Sequence, residues 1–323
     1  MSLLLSRAAE RLYWAARYLE RAEDTARLVR AYTEVIVDLP TTVTTSWAPL
    51  LAVVGGEQAF SAAHGRSDAG ERRVIQFLLA EDSNPGSVAH CVRFARDNLR
   101  TTREVLPREA WQVVNDLFLY VSAEAGAGAA RSARSRFCDR VVGEVQHLDG
   151  ILSSTWSRDE AYELWRLGEA LERADMTTRV LGVRAASLLA ARSGAEHGDH
   201  AEVQWMGVLR SLSALQMYQR ATRAPIESAE VVRFLLSHRA FPRSVAYCVA
   251  RLRASLGALP HVERTLPALE ELEALVAAVA DAGRGDADGV ALDADMDRIQ
   301  LRLHALDATV ADAFFAVGAA GPR

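Results

Sequence analysis

The chain has 323 residues, of which half are hydrophobic, and carries 42 acidic against 37 basic side chains for a net charge of −5. This length suits one large domain or two ordinary ones, and the negative charge argues against a general affinity for nucleic acid or acidic lipid. All 37 basic residues are arginine, which excludes a Schiff-base lysine and the lysine of a phosphate-binding loop.

Helix-favouring residues fill long runs of the chain, and no segment alternates with the two-residue period of a strand. The sequence therefore predicts an all-α fold. In the first half we expect a long helix over 5–32, a helix marked by Trp47, a third ending near Phe77, a fourth after Ser87 and another over Arg108–Glu124. Ser87 is a good N-cap residue, and Pro85 stands two residues before it.

The Ala/Gly-rich stretch 122–135 is expected to form a turn before a linking helix through Val141–Leu152. The second half repeats the signals of the first, at Trp205, Phe234, the N-cap Ser244 and a helix over Leu266–Ala282. The polar stretches 192–200 and 281–289 are typical of exposed loops, and a last helix is expected over Asp293–Phe315.

Two blocks of the sequence occur twice. The segment ERAEDTAR, which begins at Glu20, agrees at five of eight positions with ERADMTTR, which begins at Glu172, 152 residues later. The twenty residues from Phe77 agree at ten positions with the twenty from Phe234, 157 residues later. Self-similarity of this kind is the sequence signature of a repeated architecture.

We therefore interpret residues 1–323 as a single, internally duplicated helical bundle. Repeat 1 covers about 1–125, repeat 2 covers about 158–318, and a linking helix over about 136–152 joins them. The two similar multi-helix halves are expected to pack about a pseudo-twofold axis.

On a helical projection the first helix has an apolar stripe, which includes Leu12, Leu19 and Ala26, and an opposite charged face. The charged face contains Glu10, Tyr13, Arg17, Glu20, Arg21, Asp24 and Arg27. Large aromatic residues flank that face, which is unusual where a helix meets only water. We expect other helices to cover the charged face, or the face to line a cleft.

The second copy of this helix keeps the charged pattern through Glu172, Arg173, Asp175 and Arg179. It has Met176 in place of Asp24 and Glu169 in place of Arg17. Under a pseudo-twofold arrangement the two Glu-Arg pairs would face each other across the centre. Such pairs also form modest surface contacts, and a buried network of them fixes helix packing, so a structural network and a functional pocket are both open interpretations.

These residues carry a family resemblance. The segments LSRAAERLYWAARYLERAEDTARLV and DEAYELWRLGEALERADMTTRVL, with the block from Ser83 to Arg100, resemble the bacterial alpha-E family over essentially the whole chain. That family is an all-helical domain of unknown function named for its helices and its Glu-Arg motif, here Glu20-Arg21 and Glu172-Arg173. Gly86 departs from the resemblance, which leads us to expect a second serine at that position.

The resemblance also implies a functional context. Members of the family accompany circularly permuted ATP-grasp proteins and transglutaminase-like peptidases, and some are fused to the ATP-grasp part. The implied role is beside an amide- or peptide-forming ligase that activates a carboxylate with ATP. We expect partners of this kind, and neither nucleic acid nor a membrane.

Signals for metal and cofactor chemistry are weak. Glu144 and His147 form one Glu-x-x-His pair, whereas a di-iron bundle needs two such pairs and two further Glu residues. The three cysteines, Cys91, Cys138 and Cys248, are too widely spaced for a disulfide framework or a zinc site, and the repeated two lie on apolar helix faces typical of a core. We expect no metal, no cofactor and a reducing, cytoplasmic setting, since the three-leucine run near the start is too short for a signal peptide or a membrane span.

Three hypotheses remain. In the first, the chain is a non-catalytic accessory subunit of an ATP-grasp amide ligase, and binds the ligase or its acidic or peptidyl substrate because arginine recognises carboxylates bidentately. The candidate binding residues are Arg17, Glu20, Arg21, Asp24, Arg27, Glu172, Arg173, Asp175 and Arg179. In the second, it is a transferase or hydrolase of the same pathway with Glu20 or Glu172 as general base. In the third, the charged stripes only set the register of the helices.

Overall fold

The computed structural model describes residues 6–38, 46–65, 69–192, 201–260, 262–283 and 289–315. These residues form fourteen α-helices and one short 3₁₀ turn and contain no strand, which confirms the all-α prediction. In chain order the helices are α1 (Ser6–Asp38), α2 (Ala48–Val53), α3 (Glu57–His64), α4 (Glu71–Leu79), α5 (Val88–Arg100), α6 (Arg108–Gly128), α7 (Arg131–Thr155), α8 (Glu160–Arg192), α9 (Ala201–Ser211), α10 (Leu215–Thr222), α11 (Ser228–Ser237), α12 (Val245–Ala258), α13 (Val262–Ala282) and α14 (Gly289–Phe314).

The two longest helices, α1 and α8, pack directly against each other. Helix α1 also contacts α5 and α7, and α6 packs against both of these, which closes a ring of four helices. Helix α8 contacts α12 and α14, and α13 packs against both, which closes a second ring. The α1–α8 contact therefore lies where the two rings meet.

The apolar stripe predicted on α1 is buried, with Leu12, Leu19 and Ala26 at most 1% exposed. Most of the charged face of α1, from Tyr13 to Arg27, is covered as well, because α8 packs against it, whereas Glu10 near the start of the helix is exposed. Trp47 and Trp205 are 6% and 1% exposed, which confirms that both belong to the core. Between Tyr13 and Arg27 the charged face is thus largely an internal surface.

A close approach of backbone to backbone brings the two central helices together. A Cβ atom built on Gly168 of α8 would lie 2.5 Å from the carbonyl oxygen of Tyr13 on α1. A backbone oxygen cannot turn aside as a flexible side chain does, so this position requires glycine. The resulting short separation places the charged side chains of α1 and α8 within hydrogen-bonding reach of each other.

The predicted N-caps of α5 and α12 are confirmed. The hydroxyl of Ser87 accepts a hydrogen bond from the backbone N–H of His90, and that of Ser244 accepts one from Tyr247, at 3.1 and 3.2 Å. Each serine thereby satisfies one of the backbone donors that a helix leaves free at its first turn. The residue just before the second cap, Arg243, contacts Glu20 of α1.

The turn expected within 122–135 is present but shorter than predicted, since only Ala129 and Ala130 separate two helices there. Helix α6 continues to Gly128, and α7 begins at Arg131, before the predicted start of the linking helix near residue 136. Alanine favours the helix throughout this stretch, and Gly128 packs so closely under the ring of Phe137 that a Cβ atom there would lie 2.8 Å from Cγ. The segment expected as a link is therefore part of α7, a full member of the first ring.

Two short helices, α3 and α10, were missed between the predicted elements. Gly55, with a φ of +66°, lies between α2 and α3, and Ser213, with a φ of +50°, lies between α9 and α10. Parts of the expected loops, 193–200 and 284–288, lie outside the described residues. Among the described helices, none combines the length and the apolar character needed to cross a membrane.

Candidate functional site

The Glu-Arg motifs of α1 and α8 bind each other reciprocally. Arg21 donates through Nε and Nη2 to the two carboxylate oxygens of Glu172, at 2.5 and 2.9 Å. Arg173 donates in the same way to Glu20, at 2.8 and 2.7 Å. Paired, charge-assisted hydrogen bonds of this kind are the strongest that proteins form between side chains, so the two motifs lock the central helices together.

A second arginine completes the environment of Glu172. Arg17 donates from Nε to its Oε2 at 2.8 Å and from Nη1 to Asp307 of α14 at 2.7 Å. The hydroxyl of Tyr13 donates to the same carboxylate of Asp307 at 2.5 Å. Glu172 has a side-chain exposure of only 2%, so these partners take the place of water.

Arg243, which immediately precedes the N-cap of α12, completes the environment of Glu20. Its Nη1 lies 2.9 Å from Oε1 of Glu20 and also donates to Asp24, and its Nη2 lies 3.1 Å from Oε2 of Glu23. Arg27 donates from Nε to Glu23 at 3.1 Å. Three buried carboxylates therefore converge on one buried guanidinium group.

These contacts divide the charged residues into two groups. We call Glu20, Glu23, Asp24, Arg27, Arg173 and Arg243 the Glu20 cluster. We call Arg17, Arg21 and Glu172 the Glu172 cluster, together with Asp175 and Arg179, which pair with each other on α8 and line the same cavity as Arg21 and Glu172.

The two motif glutamates are strongly acidic in this setting. Burial alone would raise the pKa of Glu20, but the guanidinium groups of Arg173 and Arg243 outweigh it and lower the pKa to about 2. The pKa of Glu172 is likewise lowered to about 2, because Arg21 and Arg17 outweigh the effect of burial. Asp24 behaves differently, since burial, reinforced by Glu20 and Glu23 and opposed by Arg243, raises its pKa to about 8.

A cavity of about 410 Å³ lies beside the Glu172 cluster. Its charged walls are Arg21, Glu172, Asp175 and Arg179, and the remaining walls include Asn84 and Gly86 from the loop before α5. Its volume falls within the range of small-molecule sites, about 300–1,000 Å³. A smaller cavity of about 190 Å³ lies beside the Glu20 cluster, with Arg243 among its walls.

Two arginines on the larger cavity keep part of their surface accessible. The side chains of Arg21 and Arg179 are 24% and 25% exposed, although each is anchored, Arg21 by Glu172 and Arg179 by a 2.8 Å bond from Nε to Oδ2 of Asp175. Oδ1 of Asp175 is buried and has no hydrogen-bond partner among the described residues. The cavity thus presents partly exposed donors beside a buried, unpartnered acceptor.

The nine candidate residues are brought together by the α1–α8 contact, but in unequal situations. Six are almost fully buried, namely Arg17, Glu20, Asp24, Arg27, Glu172 and Asp175. Arg173 is 13% exposed and is bound by Glu20 and Glu169. Arg21 and Arg179 are the candidate arginines with the greatest exposure.

Three further members of the network were missed from the sequence. Glu23 lies next to Asp24 in the motif and was overlooked because it falls outside the projected charged face. Arg243 was present in the second repeated block, at the position that Gly86 occupies in the first, and comparison of those two positions would have singled it out. Asp307 lies on the last helix, and nothing in the local sequence connects it with α1.

Comparisons with known proteins point to one family. The Alpha-E family model, described as a predicted alpha-helical domain with a conserved ER motif, matches residues 4–315. The chain is 25% identical over 266 residues to an uncharacterized protein of Mycobacterium bovis and, with the same figures, to an uncharacterized protein of Mycobacterium tuberculosis. These matches cover 77% of this chain but 29% of each relative, so the chain spans less than a third of their length. No solved structure gives a significant match.

Proposed function

Because the chain belongs to the Alpha-E family, we propose that it is a non-catalytic accessory subunit of an ATP-grasp amide ligase system that binds the acidic or peptidyl substrate of the ligase. The observation that carries the proposal is the cavity beside the Glu172 cluster, on which Arg21 and Arg179 present partly exposed guanidinium groups. Guanidinium groups in a concave site are suited to binding carboxylates or phosphates. The family resemblance supplies the ligase context and implies a transglutaminase-like peptidase as a further partner.

Binding is favoured over catalysis because the candidate general bases are poorly suited to that role. Glu20 and Glu172 are 3% and 2% exposed and have a pKa of about 2, whereas an efficient general base has a pKa near the working pH. Burial raises the pKa of the Cys91 thiol to about 12, which disfavours it as a nucleophile. The Glu20 cluster, by contrast, suits the purely structural role of fixing helix register.

The proposal includes the duplication expected from the sequence. The reciprocal Glu-Arg pairs, the equivalent N-caps of α5 and α12 and the same helix order in the two rings all support two related halves about a pseudo-twofold axis. Helix α7 has the neighbours in the first ring that α14 has in the second. That position favours a first repeat that extends through α7, beyond the predicted end near residue 125.

The test is to capture the tagged protein at its native level from its own cells and to identify bound proteins by mass spectrometry. We expect an ATP-grasp protein in stoichiometric amount, and we expect ATP turnover by that ligase to rise when this subunit is added back. A double Arg21→Ala/Arg179→Ala variant should lose that stimulation, whereas Arg140→Ala, which removes an exposed arginine from α7, should retain it.

Both variants should first be shown to be folded by circular dichroism. Recovery of the chain alone would contradict the ligase partnership. Full stimulation of the ligase by the folded double variant would contradict the assignment of binding to this cavity.

A further inference from the structure

The two clusters can be compared position by position through the repeated blocks. The 152-residue spacing relates Glu20, Glu23 and Asp24 to Glu172, Asp175 and Met176, and the 157-residue spacing relates Arg243 to Gly86. In the Glu20 cluster, Arg243 supplies a cation to all three carboxylates. In the Glu172 cluster the equivalent position has no side chain, and the larger cavity lies there.

The cavity offers a place for a cationic donor. Oδ1 of Asp175 is buried without a partner among the described residues, whereas its equivalent residue Glu23 accepts from Arg243. Leaving a buried carboxylate oxygen without a donor costs free energy, and more for a charged group than for a neutral one. A ligand with an ammonium group beside Asp175 would supply the missing donor.

The same cavity offers a place for an anion. Arg21 uses Nε and Nη2 for Glu172, and Arg179 uses Nε for Asp175, while no described carboxylate takes up Nη1 of Arg21 or either Nη of Arg179. Nη1 of Arg179 lies against the backbone of Gly55, where a Cβ atom would be only 3.1 Å away. Arg21, Arg179 and Asp175 line the same cavity, so these nitrogens can serve a ligand carboxylate there.

The charges on the cavity walls select among ligands. Two arginines, Arg21 and Arg179, are balanced by two carboxylates, Glu172 and Asp175. A phosphate or a simple carboxylate would add uncompensated negative charge and leave Oδ1 of Asp175 without a donor. A ligand with no net charge, and with adjacent positive and negative groups, meets both needs.

We propose that this cavity binds the charged head of a free α-amino acid, with its carboxylate on Arg21 and Arg179 and its ammonium on Asp175. This inference rests on the proposed function, and it replaces the acidic or peptidyl substrate named there with a free amino acid at the same site. A peptide terminus carries only one of the two charges, which distinguishes it from the free amino acid. The side chain of the ligand would lie along Val54, Ala59 and Met176, the apolar part of the walls.

The first test is calorimetric titration of the purified full chain with the free proteinogenic amino acids at pH 7.5. At least one should bind with a Kd of about 1 mM or below. For that amino acid, the N-acetyl derivative, which lacks the ammonium, and the amide derivative, which lacks the carboxylate, should each bind about tenfold or more weakly. Equal binding of the N-acetyl derivative would overturn the proposal, because a simple anion would then suffice.

Variants at Gly86 test whether the ligand binds in this cavity. A Cβ atom at Gly86 has its nearest neighbour, Oδ1 of Asn84, at 3.4 Å, so a side chain can be accommodated there. Gly86→Arg should fill the cavity and pair with Asp175 as Arg243 does with Glu23, and should abolish binding. Gly86→Ala adds a single methyl group and should bind as the wild type does. Undiminished binding by Gly86→Arg would overturn the proposed location.

The variant Asp175→Asn tests the contact with the ligand ammonium separately from the contact with its carboxylate. The variant keeps the shape of the side chain but removes its charge, so affinity for the free amino acid should fall about tenfold or more, while the weak binding of the N-acetyl derivative should not fall further. A parallel loss for both ligands would overturn the assignment of the ammonium to Asp175.

The outcomes separate this inference from the proposed function. If no amino acid binds, but the captured ligase is still stimulated through Arg21 and Arg179, the inference fails and the accessory role stands. If an amino acid binds and no ligase is captured, the accessory role fails and the amino-acid site stands.

Discussion

The Glu20 cluster and the Glu172 cluster start from the same Glu-Arg motif and end in different structures. In the first, Arg243 reaches three carboxylates and only a small cavity of about 190 Å³ remains. In the second, Gly86 stands at the related position, Met176 replaces the third carboxylate, and the cavity is about 410 Å³. The two clusters share the Glu-Arg motif. One arginine in place of a glycine, and one additional acid, distinguish the cluster that forms an ionic network from the cluster that lines a cavity.

The comparison also teaches how the balance of charge is kept. The Glu20 cluster has three acids and three arginines, and the three arginines of the Glu172 cluster face Glu172, Asp175 and, through Arg17, Asp307. Buried charges persist in proteins when each has a partner, because an uncompensated charge is far more costly than a paired one. Each arginine of the two clusters therefore has at least one acidic partner.

The largest expected effect comes from removing the cation of the Glu20 cluster. Arg243→Ala would leave Glu20, Glu23 and Asp24 with one guanidinium group fewer, and breaking a buried pair in this way costs about 3–5 kcal/mol. The free energy of unfolding should fall by that amount in urea titrations. Arg239→Ala, which removes an exposed arginine four residues earlier, should stay within about 0.5 kcal/mol of the wild type. Equal stabilities for the two variants would show that the Glu20 cluster does not hold the fold.

Acid should weaken the motif pairs of both clusters. Because the native pKa of Glu172 is about 2, below its ordinary 4.5, its stabilising contribution is present above pH 4.5 and is lost as the pH falls towards 2. The contribution amounts to about 3 kcal/mol. Glu172→Gln should therefore be less stable than the wild type at pH 6, and the gap should close between pH 4.5 and 2. Urea unfolding across that range measures the gap, and a constant difference would contradict the lowered pKa.

The close approach of α1 and α8 serves both clusters, so separating the helices should weaken both. Gly168→Ala forces a methyl group against the backbone of Tyr13 and should cost about 1–3 kcal/mol. Gly143→Ala is the matched control, because it is exposed on α7 with open space at its Cβ position, and should gain about 0.5–1 kcal/mol. Thermal unfolding of the two variants should shift in opposite directions. A neutral effect at Gly168 would show that the helices can readily move apart.

The smallest expected effect is a coupling energy between the two exchanged positions. Gly86→Arg with Met176→Asp would convert the Glu172 cluster into a copy of the Glu20 cluster. The double variant should be more stable than the sum of the single changes by about 1 kcal/mol, since the new arginine and the new acid become partners. A double-mutant cycle by urea unfolding measures this term. A value of zero would mean that the two sequence differences act independently.

Local sequence predicted the helices and the Glu-Arg clusters, but not all the partners of these clusters. The serine caps and the apolar stripe of α1 could be read directly, because capping and burial depend on neighbouring residues. The break between α6 and α7 lies within the predicted stretch 122–135 but is shorter than expected, because alanine favours the helix up to Gly128. Asp307 was not predicted, because its contacts with Tyr13 and Arg17 form only when α14 packs against α8.

The two equivalent cysteines can report how often the helices near each cluster detach from the rest of the protein. The thiols of Cys91 and Cys248 donate to the carbonyls of Pro85 and Pro242, and burial raises the pKa of each to about 12. An alkylating reagent can therefore reach either sulfur only while its helix is transiently detached from the rest. The ratio of the two modification rates in the unaltered protein would report which end of the central helix pair opens more often.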